Sequence, residues 1–77
     1  MSKLPMASFK TMDKILRRLG FDAVRQKGSH VFYRHADGRT TTFPNHGNRD
    51  IARPLIREIL REISVSPDEF VKLLEQV

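Results

Sequence analysis

Apolar residues return every three or four positions near the start of the chain: Phe9, Met12, Ile15, Leu16 and Leu19. That spacing is one face of an amphipathic helix. It predicts a helix over 8–19, with Ser8 as N-cap and Gly20 just past its end. Residues 1–7 lack this period and read as a loose leader. After Gly20 the pattern shortens. Phe21–Gln26, Ser29–His35 and Arg39–Phe43 read as three strands, the middle one clearest, with its Val-Phe-Tyr run. Alternation along that strand puts His30, Phe32 and Arg34 on one face, and Val31 and Tyr33 on the other. The first strand alternates poorly, because Ala23 and Val24 are adjacent. Lys27-Gly28 and Asp37-Gly38 are the expected turns, and Pro44 ends the third strand.

Asn45–Asp50 reads as a polar loop. Ile51, Leu55, Ile56, Ile59, Leu60 and Ile63 then form a second helical stripe. Pro54 suits the first turn of a helix over 54–63, where a missing N–H costs nothing. Ser66-Pro67-Asp68-Glu69 is a capping-box start for a last, short helix over 66–77. The expected fold is α+β. It is a small two-layer sandwich with a three-stranded antiparallel sheet and helices on one face, in the order α-β-β-β-α plus a C-terminal helix.

The 77 residues suffice for one domain, 1–77. The chain has no cysteine, so neither a disulfide nor a thiolate metal site braces it, which suits a reducing cytoplasm. No apolar run approaches the roughly 20 residues that span a bilayer, and Met1-Ser2-Lys3-Leu4-Pro5 lacks the apolar core of a signal peptide. The expected location is cytoplasmic, without membrane association. Fourteen Lys and Arg against nine Asp and Glu give a net charge of +5. That excess on so small a body attracts polyanions, nucleic acid foremost. Lys10, Lys14 and Arg17 lie mostly opposite the apolar face of the first helix. Arg53, Arg57 and Arg61 repeat every four residues along the second. Each stripe is read either as a solvated face or as a phosphate-contacting one, and Glu58 and Glu62 dilute the second.

Several chemistries lack their parts. The four glycines are scattered singly, so there is no phosphate-cradling loop. Metal-ligand spacing is absent, although His30, His35 and His46 would have to meet in space to replace it. Gly28-Ser29-His30 does not match the Gly-x-Ser-x-Gly of a nucleophile elbow. RNA cleavage needs less machinery. The substrate carries its own nucleophile, the 2′-hydroxyl. A neutral imidazole takes its proton, and nearby cations stabilise the phosphate. Histidine suits the task because its ordinary pKa is near 6.5. His30, at a strand start beside a turn, is both held and reachable. Lys27 and Arg34 are placed to hold phosphate, and Ser29 or the N–H groups of the Gly28 turn to donate hydrogen bonds. The plainer reading is that His30 is an ordinary surface histidine.

The order of these pieces is also a pattern. A helix is followed by Leu19-Gly20-Phe21, Lys27-Gly28-Ser29-His30, Asp37-Gly38, Pro44 and His46-Gly47-Asn48, and then by the helix holding Leu55-Ile56-Arg57-Glu58-Ile59-Leu60-Arg61. Over about residues 12–63 the chain resembles the HicA toxins of bacterial and archaeal toxin–antitoxin pairs. The resemblance implies a double-stranded-RNA-binding-like fold and a ribosome-independent mRNA interferase. It places the one catalytic histidine of the Gly-Ser-His motif at His30, and it implies a HicB-type antitoxin that blocks the site. His46 falls where the family often has histidine, and its role stays open. Pro54 departs from many relatives, and the last helix extends beyond the shortest members; neither touches the motif.

The resulting expectation is a metal-independent endoribonuclease acting on single-stranded RNA, with no cofactor. His30 is its catalytic residue and Ser29, Lys27 and Gly28 are auxiliary. Lys10, Lys14, Arg17, Lys27, Arg34, Arg53, Arg57 and Arg61 contact RNA. Two rivals stand beside it: a non-catalytic RNA-binding module of the same fold, and a DNA-binding protein using the last two helices.

Overall fold

The computed structural model describes residues 4–77. Its elements in order are β1 (Ala7–Ser8), α1 (Phe9–Arg18), β2 (Phe21–Lys27), β3 (His30–His35), β4 (Thr40–Pro44), β5 (Asp50–Ile51), α2 (Arg53–Ile63) and α3 (Pro67–Gln76). Strands β2, β3 and β4 form an antiparallel meander with β3 in the centre. The expected α+β sandwich is therefore present, and its elements lie within a residue or two of their expected bounds.

The helices cover the face of the sheet that carries its buried apolar side chains. Val31, Tyr33, Thr41 and Phe43 point inward and are buried. Tyr33 and Phe43 stack with ring centroids 4.9 Å apart, and Phe9 of α1 tilts onto Phe43 at 5.5 Å. Met12, Ile15 and Leu16 of α1 and Ile56, Ile59, Leu60 and Ile63 of α2 complete the core. One side-chain hydrogen bond ties each of α1 and α2 to the sheet. The Tyr33 hydroxyl donates to Asp13 of α1 at 2.5 Å, and the Thr41 hydroxyl donates to Glu62 of α2 at 2.7 Å. On α3, the capping box forms: the Ser66 hydroxyl accepts from the Glu69 N–H, and the Glu69 carboxylate accepts from that of Ser66. Phe70 then buries against the core.

Two expectations need correction. Residues 4–7 are not a loose leader. Leu4 and Ala7 are buried, and Ala7 and Ser8 pair antiparallel with Ile51 and Asp50. The Arg53 guanidinium also donates to the Leu4 carbonyl at 2.7 Å. Two-residue strands are too short to show a period, so the sequence pattern did not reveal this ladder. For the same reason Asp50 belongs to β5 and not to the polar loop. Residues 1–3 of the expected leader lie outside the described residues. The second correction concerns the first turn. Its two central residues are Gly28 and Ser29, since Lys27 already pairs with His30.

Tyr33 supports a pH prediction. Burial, the hydrogen bond to Asp13 and the negative charge of Asp13 all push its pKa well above the ordinary value of 10.0. A group raised in the folded state stabilises fully below its unfolded pKa, and this contribution fades as pH rises through the folded one. The domain should therefore lose stability above about pH 10. Tyr33 is the one tyrosine in the chain. Tyrosinate absorbance should thus appear together with the loss of helical circular dichroism. Tyr33→Phe should flatten this alkaline limb. Ionisation at the ordinary pKa in a still-folded chain would contradict the assignment.

Candidate active site

The turn before β3 is built by backbone geometry. Gly28 has φ +59°, whereas Ser29 stays in the negative range. A two-residue loop with positive φ at its first position only is the II′ pattern, which matches the twist of the flanking strands and favours glycine there. No atom lies within 4 Å of where a Gly28 Cβ would be, so the demand is conformational and not steric. On the far side, the Asn45 N–H donates to the Ser29 carbonyl at 2.6 Å. This bond ties the loop after β4 to the turn. The Asn45 side chain accepts from the Gly47 N–H at 3.0 Å, which holds exposed His46 in that loop.

His30 is thus the first residue of the central strand, flanked by Lys27 on β2 and Pro44 on β4. It is exposed on the face away from the helices, as alternation required. Among the described residues, no side chain hydrogen-bonds its ring. The imidazole is held through its backbone while both nitrogens stay open to a ligand.

The rest of that face follows in rows. Arg25, Phe32 and Thr42 form the next row, and Asp22, Arg34 and Thr40 the one after. The register shifts between Ala23 and Arg25, leaving Val24 as the extra residue of a bulge. The bulge explains the poor alternation of this strand. It also brings Arg25 and Lys27 onto the face of His30, where unbroken alternation would have put Val24 and Gln26. The Arg25 guanidinium lies 5.5 Å from the Phe32 ring centre. Val24, Arg25, Phe32 and Arg34 line a shallow groove of about 370 Å³. Phe32 was legible as a neighbour of His30 from period two alone. Arg25 was not, because a bulge leaves no clear mark in one sequence.

The other expected RNA contacts are divided. Lys27 and Arg34 share the face of His30. The helical stripes lie on the far layer, across the sheet from it. There Arg17 pairs with Asp13 at 3.0 Å, Arg61 pairs with Glu58, and Arg53 holds the Leu4 carbonyl. Lys10, Lys14 and Arg57 are exposed and make no ion pair among the described residues. On α2, Arg57 is therefore the exposed stripe residue with neither an ion pair nor a backbone contact among the described residues. The three histidines do not come together as a metal-binding group among the described residues. His30 and His35 sit at opposite ends of β3, about 16 Å along a strand. His35 is structural. Its ring meets Phe21 edge-on at 5.0 Å, and its Nδ1 accepts from the Asp37 N–H at 3.1 Å. Gly20, at φ +95°, leaves room for it, since a Cβ there would lie 3.0 Å from His35 Nε2.

The family model described as HicA toxin of bacterial toxin-antitoxin matches residues 9–65. The chain belongs to the HicA toxin family. The match runs from the start of α1 through α2, and includes the Gly28-Ser29-His30 turn and the whole meander. HicA membership makes the chain a toxin of a toxin–antitoxin system and implies an antitoxin partner. Comparison with curated proteins finds no match. Among the described residues, no helix is long and apolar enough to cross a membrane.

Proposed function

We propose that this HicA-family toxin is a metal-independent endoribonuclease that cuts single-stranded mRNA, with His30 as its single acid–base residue. The observation that carries this reading is the placement of His30. It is an exposed imidazole with open nitrogens, fixed at the start of the central strand beside Lys27, in the Gly28-Ser29-His30 stretch that the family match spans. In the proposed reaction His30 takes the proton of the 2′-hydroxyl. The 2′-oxygen then bonds to phosphorus, the bond to the 5′-oxygen breaks, and the imidazolium returns a proton to that leaving oxygen. The products are a 2′,3′-cyclic phosphate and a free 5′-hydroxyl. Lys27, beside His30, and Arg34, farther along the same face, offset phosphate charge. N–H groups of the Gly28-Ser29 turn and the Ser29 hydroxyl are the candidate neutral donors. Lys10, Lys14 and Arg57 add a longer-range attraction for RNA.

The same face serves regulation. A HicB-type antitoxin that covers His30 and Lys27 blocks substrate without altering the fold. The test is direct. The purified chain, incubated with single-stranded RNA in excess chelator, should release cyclic-phosphate ends, and a cognate antitoxin should stop it. RNA left intact by the folded chain would overturn the reading in favour of a non-catalytic RNA-binding module.

A further inference from the structure

The sheet face that carries His30 also carries an aromatic ring that the core does not use. The helices take the inward rings, Tyr33 and Phe43, and bury both. Phe32 points the other way and stays half-exposed. The Arg25 guanidinium lies over it, 5.5 Å from the ring centre. Around it the groove of about 370 Å³ is lined by two cations, Arg25 and Arg34, together with Val24. An aromatic platform edged by arginines is the arrangement on which unpaired bases stack while the backbone is tracked by charge. Arginine is suited to both tasks, because its planar head stacks and also pairs with phosphate.

We propose that this open face is the RNA-binding platform of the toxin, and that Phe32 stacks one unpaired base of the substrate in the place where the Arg25 guanidinium now lies, with Arg25 swung aside to the backbone. The proposal rests on the endoribonuclease reading and adds a positioning residue to it. Phe32 lies two residues beyond His30 on β3, about 7 Å away. That is on the order of one nucleotide's reach, so a base held on Phe32 sets a neighbouring phosphate near the imidazole. Arg34 lies a further ~7 Å along and meets the next stretch of backbone. A paired base has no free face to offer such a ring, so the platform selects single strands. The charge of the face agrees: Arg25, Lys27 and Arg34 stand against one carboxylate, Asp22, at its far end.

The experiment uses the full chain carrying His30→Ala, which should bind RNA without cutting it. The probe is a short single-stranded RNA holding one fluorescent purine analogue, whose emission falls when it stacks. Binding to the His30→Ala chain should quench the probe. Adding Phe32→Leu should weaken binding about 5- to 100-fold, the loss of one base–aromatic stack, and remove the quench. Phe32→Tyr should restore both. Melting curves establish that each variant is folded. If folded Phe32→Leu keeps the affinity and the quench, the stacking proposal is overturned. Arg25 then merely shields an exposed ring, or the face belongs to the antitoxin. That outcome leaves RNA cleavage by the His30 parent intact and so does not touch the endoribonuclease reading. Absence of RNA binding and of cleavage by the parent overturns both.

Discussion

His30→Ala is expected to lower RNA cleavage by about 10²- to 10⁴-fold, the usual contribution of a positioned acid–base group. Cellular toxicity should go with it. The size of the effect follows from the lack of a substitute. His35 is about 16 Å away at the other end of β3, occupied by Phe21 and the Asp37 N–H. His46 sits in the loop after β4 and belongs to no strand of the sheet that carries Lys27 and Arg34. The fold should survive. His30 is exposed and its ring makes no hydrogen bond among the described residues, so the change should cost only about 0.5 kcal/mol. His35→Ala is the informative contrast. It should melt at a lower temperature, because it strips an aromatic contact from Phe21 and an acceptor from the turn, yet it should cut RNA at the parent rate while folded. Cleavage assays on both variants, with circular dichroism melts, read the two effects separately. Undiminished cutting by folded His30→Ala would remove histidine catalysis from the account.

Legibility from sequence differed between parts of the molecule for physical reasons. The long elements were plain because each repeats its period several times. α1 shows Met12, Ile15 and Leu16 on one side, and α2 shows Ile56, Ile59, Leu60 and Ile63. The hairpins were plain because glycines sit where the backbone must turn to positive φ. The β1–β5 ladder was not, since two residues cannot display a period and their pairing spans most of the chain. Charge was the least legible quantity. Arg17, Arg53 and Arg61 look like free cations in a string of letters. In space, Asp13, the Leu4 carbonyl and Glu58 engage them. Only Lys27 and Arg34 of the expected contacts share the face of His30, joined there by Arg25 through a bulge that sequence alternation hid.

The strongest stability effect is expected at Phe43, on the face that faces the helices. Its ring is fully buried, stacked on Tyr33 and met by Phe9. Phe43→Ala removes that contact area and leaves a cavity between sheet and α1, at a cost of about 3–5 kcal/mol. A domain of 77 residues has a total stability of only about 4–12 kcal/mol at ~0.05–0.15 kcal/mol per residue. In a domain this small each kcal/mol lowers the melting temperature by roughly 4–8 °C. Phe43→Ala should therefore melt at least ~12 °C lower, or fail to fold, in a thermal scan followed by circular dichroism. Phe32→Ala makes the comparison pointed, because the same side chain is removed from the opposite face of the same sheet. Phe32 gives up a half-exposed ring and one guanidinium contact. Its melting temperature should fall by a small fraction of the Phe43 loss, whereas its RNA affinity should fall and that of any folded core variant should not. Equal thermal costs at the two positions would mean that the two faces of the sheet are alike. The division of labour between a helix-covered core face and an open face for RNA would then not hold.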